Sequence, residues 1–367
     1  MKNDGRIILT LDAGGTNFLF SAIKNGSIIG KPFRFPANAS TLDEMLDKIV
    51  LGFQSLMDDL NEKVSAISFA FPGPADYEQG IIGDLENLPL FRGGVALGPF
   101  LENHFHIPVY INNDGDLFAM GEAIGGLLPK INLKLEKAGN PKRYKNLLGL
   151  TLGTGFGAGI VSSGQLYRGD NSAAAEINRM RNPIHTETSI EDSVSIRAVK
   201  RVYCQSSGIS LDLCPEPSEI YKIALGQLKG DVKAANKAFE FLGKAVANAT
   251  ADALSLLDAI VVIGGGLSGA AGLFMPHLMK EMNRPFTTLS GEKLDRMEIK
   301  ACSLMNNKDW DIFLQSEAKE ILIPRSTNKI TYHTSKKIGV GLSVLGTSEA
   351  IALGAYAYAI QKLDLKN

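Results

Sequence analysis

The sequence predicts a duplicated, two-domain α/β fold. Three observations predict it. Strand-like apolar runs alternate with helix-spaced segments along the chain. A strand–glycine–strand element occurs twice, with Leu-Thr-Leu at residues 9–11 and again at 150–152 directly before a polar, glycine-rich tip. That period, about 140 residues, is far longer than a solenoid repeat. The chain's 367 residues also correspond to about two domains at roughly 150 residues each. Two similar domains facing each other across a cleft are the expected arrangement.

Residues 6–11 form the first strand and Asp12-Ala13-Gly14-Gly15-Thr16-Asn17 its tip. Residues 18–23 return as a hairpin strand closed by Asn25-Gly26. Residues 42–60 carry Leu42, Met45, Leu46, Ile49, Leu56 and Leu60 at helical spacing. Residues 64–71 are a buried strand stopped by Pro72-Gly73-Pro74, and residues 109–112 are a short strand before a helix over 115–124. The basic, polar stretch 130–145 is expected to be an exposed loop or hairpin insertion. The second hairpin uses residues 147–152, the tip Gly153-Thr154-Gly155 and residues 156–161. Residues 191–203, 218–228 and 232–257 read as helices, 259–263 as a strand entering Gly264-Gly265-Gly266, and 348–360 as an Ala-rich closing helix.

Composition excludes several classes. Lys and Arg total 38, Asp and Glu 39, for a net charge of −1, without the basic surplus a general nucleic-acid binder needs. The longest apolar candidate, 245–267, carries Asp252 and Asp258, which rules out a membrane span. Residues 1–12 contain no signal-peptide core. Cys204, Cys214 and Cys302 are few, odd in number and far apart, so a disulfide framework is not expected and a reducing cytoplasm is. Glycine is in excess, 38 residues against a usual ~7%, and its clusters mark the motifs.

A glycine turn at a strand end presents backbone N–H groups that can cradle phosphate. At the first tip, Asp12 could hold a Mg²⁺-bound water and Thr16 reach a phosphate oxygen; a plain hairpin turn is the alternative. Gly153, Gly155, Gly157 and Gly159 alternate through the second hairpin, which needs a reason because glycine weakens a strand. Close approach of phosphates is one reason and a kinked hairpin the other. Gly264-Gly265-Gly266-Leu267-Ser268-Gly269 lacks the following strand and acid of a dinucleotide fold, and fits a strand-to-helix turn packed against adenosine. No G-x-x-x-x-G-K-[ST] loop occurs. Asn112-Asn113-Asp114-Gly115-Asp116 ends a strand and opens a helix. A carboxylate there can take a proton from an attacking hydroxyl that Asn113 orients; N-capping explains one such residue better than four, and Asp116 also reads as a first-turn complement to the helix dipole. Glu176 is a candidate for sugar hydroxyls or an exposed loop acid, and Glu191 reads as a first-turn acid. His185 has no Cys or His at ligand spacing, so no zinc site is expected.

In this order, Asp12-x-Gly-Gly-Thr, Asn113-Asp114, the Gly-Thr-Gly-x-Gly hairpin, the Glu176 loop and the late glycine turn resemble the ROK family of repressors and sugar kinases. The resemblance runs from about residue 6 to 360 and includes Pro72-Gly73-Pro74 and the Glu86-Asn87-Leu88-Pro89 segment. It implies an actin-like ATPase (ribonuclease H-like) fold, with a small domain of residues 1–113 plus about 346–367 and a large one of 114–345. It implies ATP with Mg²⁺, phosphorylation of a hexose or N-acetylhexosamine as by a glucokinase, and a homodimer. Asp114 would be the base. Asn87, Asn113, Asp114, Glu176, Arg179 and Glu191 would meet the sugar. Asp12, Gly14, Gly15, Thr16, Asn17, Gly153, Thr154 and Gly155 would surround the phosphates, with Mg²⁺ near Asp12 and Gly265 and Gly266 near adenosine.

The family's Glu-x-Gly-His reads Glu176-Ile177-Asn178-Arg179 here, and its following Cys cluster for zinc is a Thr/Glu/Ser stretch, 186–191. The expectation is therefore a zinc-less kinase whose sugar loop is ordered by packing or hydrogen bonds. Arg179 is expected to pair with Glu176 or Glu191 or to donate to a sugar oxygen. The family's repressors carry a DNA-binding domain before the first motif; only 11 residues precede Asp12, so no nucleic-acid partner is expected. A catalytically idle sugar sensor is the competing function, against which Asp114 itself weighs. The choice of sugar and hydroxyl is left open.

Overall fold

The computed structural model describes residues 4–13, 17–73, 75–83, 89–334 and 336–365. In chain order the elements begin β1 (Ile7–Ala13), β2 (Asn17–Lys24), β3 (Ser27–Pro36), α1 (Leu42–Asp59) and β4 (Val64–Ala70). The short β5 (Ala75–Asp76) and β6 (Ile81–Ile82) precede α2 (Leu97–Phe105), β7 (Val109–Asn112) and α3 (Asp114–Ile124). Then come α4 (Leu127–Lys137), β8 (Leu147–Leu152), β9 (Phe156–Ser162), β10 (Gln165–Tyr167), α5 (Ile196–Ser207), α6 (Pro217–Ala224) and α7 (Val232–Leu257). Next are β11 (Ile260–Gly264), α8 (Ala271–Met282), β12 (Phe286–Thr287), β13 (Lys293–Leu294) and β14 (Lys300–Ser303). Last are α9 (Asn307–Leu314), β15 (Ala318–Leu322), β16 (Lys329–His333), β17 (Lys337–Leu342) and α10 (Thr347–Leu365).

The chain forms two units. The first comprises Met1–Gly126, Gly159–Ala175 and Ser343–Asn367. Its sheet has the order β3-β2-β1-β4-β7, with β1–β3 antiparallel and β4 and β7 parallel to β1. β1 is apolar from Ile7 to Leu11 but for the buried Thr10, because it is buried on both faces. Ile7, Leu9 and Leu11 join a core with Met45, Ile49 and Phe53 of α1, while Ile8 packs with Tyr356, Ala359 and Ile360 of α10. An aromatic chain runs through the first core, with ring centroids 5.0 Å apart for Phe20–Phe53 and 4.9 Å for Phe71–Phe91. Thr41 caps α1 by accepting the Glu44 N–H at 3.2 Å.

On the other face α3 lies along α10 with almost no spacing. A Cβ at Gly121 would overlap the Ala350 carbonyl, and one at Gly354 would overlap the Leu117 carbonyl. Glu122, wholly buried, accepts from Ser343 Oγ at 2.5 Å and from the N–H groups of Val344 and Leu345. This packing places α3 in the first unit. The unit boundary therefore falls at 126/127, not at the expected 113/114, and residues 159–175 also join the first unit.

The second unit comprises Leu127–Ala158 and Glu176–Leu342, and the boundary falls inside β9. The second sheet has the order β10-β9-β8-β11-β17-β14. Its first five strands repeat the order of the first sheet, and β14 adds an edge, so the duplication read from the two Leu-Thr-Leu tips is visible in the topology. β11 is buried at every residue. Asp231 caps α7 by accepting the Ala234 N–H at 2.9 Å, and α7 spans the predicted 232–257. The stretch expected as a loop insertion, 130–145, instead holds most of α4. Leu127, Leu128, Ile131 and Leu135 are buried along one side of that helix, and its lysines occupy the other. Among the described residues no helix is long and apolar enough to cross a membrane.

Candidate active site

In the first unit β1, β4 and β7 run parallel, so their C-terminal ends share one edge of the sheet, where α/β folds bind ligands. Asp12 stands near the end of β1, half-buried, its backbone opposite Leu19 of β2 and with no hydrogen bond or ion pair to its carboxylate among the described residues. Asn17 opens β2 opposite Pro36. Gly14, Gly15, Thr16 and Asn87 lie outside the described residues.

β7 runs into Asn113 and Asp114. Asn113 is the N-cap of α3, accepting the Gly115 N–H at 2.8 Å. Its Nδ2 reaches the Tyr77 hydroxyl at 3.5 Å, and that hydroxyl donates to the Phe71 carbonyl at 3.0 Å. The first turn has two acids with different fates: Asp116 is buried and Asp114 is exposed. Asp114 accepts the same Gly115 N–H at 2.9 Å. Loss of water around its carboxyl raises it above the usual carboxylate range, opposed by that hydrogen bond. The turn is pressed from outside by Gly159, where a Cβ would overlap the Gly115 carbonyl and lie 2.8 Å from Asp116 Cα.

In the second unit β8 and β11 are parallel neighbours with Thr151 beside Gly264, so their two glycine tips follow the same sheet edge. The Gly153 N–H donates to the Gly155 carbonyl at 3.0 Å, and the Gly153 carbonyl accepts from Ile196 N at 2.9 Å. Thr154 is exposed between them. The glycines divide by what surrounds them. Around Gly153 and Gly266 there is open space. A Cβ at Gly155 would lie 2.8 Å from Glu191 Oε2 and one at Gly157 2.5 Å from Thr151 Oγ1. Gly265, with φ +84°, would overlap the Leu152 carbonyl. Gly155, Gly157, Gly159 and Gly265 thus make room for protein, whereas a Cβ at Gly153 or Gly266 would meet nothing within 4 Å.

The loop after residue 175 carries the remaining candidates. Glu176 precedes a 3₁₀ turn, Ile177–Arg179, and pairs with Arg179 at 3.9 Å, both side chains well exposed. Glu191 lies in a second 3₁₀ turn, Ile190–Ser193, and not at the head of a helix over 191–203 as predicted; α5 starts at Ile196 behind its own cap, Ser195. The Glu191 carboxylate accepts the Phe156 N–H at 3.1 Å and pairs with Arg197 at 3.6 Å. Of the two partners expected for Arg179, it takes Glu176, while Arg197 takes Glu191. Tyr77, Arg197 and the buried Asn182 are site neighbours that the motifs did not point to; only the Asn182-Pro183 pair, a turn signal, was available for the last. Among the described residues no group of three His, Cys, Asp or Glu is placed to hold a metal ion.

The ROK family profile matches residues 8–308. The chain belongs to the ROK family. A crystal structure of glucokinase from Parabacteroides distasonis is 51% identical, with a TM-score of 0.89, over 98% of this chain and 99% of that one. N-acetyl-D-glucosamine kinase of Photobacterium profundum is 29% identical over 70% of this chain and 83% of its own length. Glucokinase of Thermotoga maritima is 25% identical over 75% and 86%. This ROK chain has the actin-like ATPase fold and is, by class, an ATP-dependent carbohydrate kinase.

Proposed function

We propose that this ROK chain transfers the γ-phosphoryl group of ATP to a hydroxyl of a hexose or N-acetylhexosamine, with Asp114 as general base. The observation that carries this reading is the division of labour at the start of α3. Asn113 does the capping, Asp116 is buried, and Asp114 is left exposed with a carboxylate made more basic by partial desolvation. A base needs that combination of access and basicity. Asn113, its amide fixed between Gly115 and Tyr77, orients the sugar hydroxyl. Glu176, Arg179 and Glu191 hold the rest of the sugar.

On the nucleotide side, the open backbone at Gly153 and the exposed Thr154 hydroxyl meet phosphate oxygens, and Gly265–Gly266 lies beside adenosine. Asp12 suits Mg²⁺: it is an oxygen donor at a strand end with no described partner. Bound there with ATP, Mg²⁺ neutralises phosphate charge, the main demand of phosphoryl transfer. Within the second unit Glu191 links the two assignments, because an acid assigned to the sugar accepts a backbone N–H of the hairpin assigned to phosphate.

A coupled ADP-release assay over glucose, N-acetylglucosamine, mannose and fructose tests the reading. Turnover is expected with at least one, and the relatives put glucose and N-acetylglucosamine first. A folded protein that binds a sugar by calorimetry and phosphorylates none would instead be a sensor.

A further inference from the structure

We infer that Asn182 is a positioning residue that orders the loop carrying Glu191, and thereby sets the affinity for the sugar. The inference rests on the assignment of Glu191 to the sugar made above.

Asn182 is wholly buried, yet every part of its side chain is used. Oδ1 accepts the N–H groups of Ile184 at 3.0 Å and His185 at 3.2 Å, closing the turn after Pro183. Nδ2 lies within reach of Thr188 Oγ1 at 3.1 Å, the Ser189 carbonyl at 3.3 Å and Ser193 Oγ at 2.8 Å. Its own N–H donates to the Thr188 carbonyl at 3.1 Å. One side chain therefore ties together three segments that share no helix or long strand pairing. Around it Ile190 N donates to the Met180 carbonyl at 2.8 Å, and Arg181 and Ser189 form a single antiparallel bridge.

The bond to Ser193 gives this order a direction. Ser193, also wholly buried, ends the 3₁₀ turn Ile190–Ser193 in which Glu191 sits. That turn presents the Glu191 carboxylate to the Phe156 N–H at the tip of the glycine hairpin. Asn182 thus acts through Ser193 and Glu191 on the hairpin, touching neither sugar nor nucleotide itself. A buried, fully satisfied polar network holds a unique geometry, and a half-satisfied one loses it.

The experiment compares Asn182→Ala with the milder Ser193→Ala, which removes only the link to the Glu191 turn. Sugar KM is expected to rise roughly 10-fold or more in the first and about 3- to 10-fold in the second, the worth of one to two hydrogen bonds. ATP KM should stay within about twofold, because a positioning role on the sugar loop separates the two affinities where a general loss of stability does not. Hydrogen exchange is the second readout: the Ile190 and Phe156 amides should exchange faster in both variants, with β8 amides unchanged. Sugar KM within twofold of wild type in the folded variants, or unchanged exchange at Ile190 and Phe156, overturns the inference. Should the wild type phosphorylate no sugar, the kinase reading fails, and the exchange data still decide whether Asn182 orders the Glu191 turn. If Asn182→Ala does not fold, Ser193→Ala alone carries both measurements.

Discussion

Asp114→Asn is expected to lower kcat by about 10²- to 10⁴-fold, the usual worth of a general base, with ATP and sugar affinities near wild type. The substitution is nearly isosteric. Asn at this position keeps an oxygen for the Gly115 N–H, and Asn113 still caps α3, so the first turn keeps its geometry and only proton acceptance is lost. The raised carboxyl adds a pH signature. Wild-type kcat/KM should fall on the acid side at a pH above the ordinary Asp value of 3.8. Stability follows the same group. Its folded pKa lies above the unfolded one, so between the two values the folded state binds more protons and stability declines as pH rises. Asp114→Asn removes that penalty. Its thermal midpoint should equal or exceed wild type at neutral pH, the two converging as pH falls toward the ordinary carboxylate range. Normal turnover in the folded variant would sink the base assignment; a much lower midpoint would mean that the carboxylate is structural.

Elements with strong local signals were legible in the sequence. The two Leu-Thr-Leu tips were readable because a doubly buried strand is a largely apolar run that stops abruptly at a glycine-rich tip. The 26-residue α7 was readable because its apolar period persists over seven turns. α4 was not, although Leu127, Leu128, Ile131 and Leu135 carry a helical period, because the intervening lysines dominate a reading by charge. Site residues divide in the same way. Asn113 and Asp114 announce themselves by standing between a strand and a helix. The reason for Gly155, Gly157 and Gly159 was hidden, since a glycine demanded by a ligand and one demanded by a carboxylate, a hydroxyl or another backbone look alike until the neighbour is known. The partners of Arg179 and Glu191 were likewise undecidable, because Arg197 enters from a helix whose start the sequence placed several residues too early. Asn182 had no chemical motif at all; its importance lies in being the point where three loop segments meet.

Gly354→Ala is expected to destabilise the protein by about 2 kcal/mol or more, although helix propensity alone predicts the opposite sign. In a helix interior Ala is favoured over Gly by about 1 kcal/mol, and Gly354 lies well inside α10. Against this stands the crossing with α3. The added Cβ would overlap the Leu117 carbonyl and lie 3.0 Å from the Gly121 N. Both obstacles are backbone, so no side chain can swing away and the helices themselves must separate. Overpacking of this kind costs about 1–3 kcal/mol and at times more, and α10 is also held by the core that Tyr356 and Ile360 share with the first sheet. Packing therefore wins over propensity. Gly272→Ala is the matched control. Gly272, the second residue of α8, is exposed with nothing within 4 Å of the new Cβ, so propensity should act alone and stability stay level or rise by less than the ~1 kcal/mol of a helix interior. Urea unfolding distinguishes them: a lower midpoint with unchanged slope for Gly354→Ala, and an equal or higher one for Gly272→Ala. Because α3 begins at Asp114, the displaced helix should also lower kcat in Gly354→Ala well below its unfolding midpoint and leave Gly272→Ala unaffected. A Gly354→Ala midpoint at or above wild type would mean that α3 and α10 do not cross at backbone contact, and the placement of Asp114 would lose its structural support.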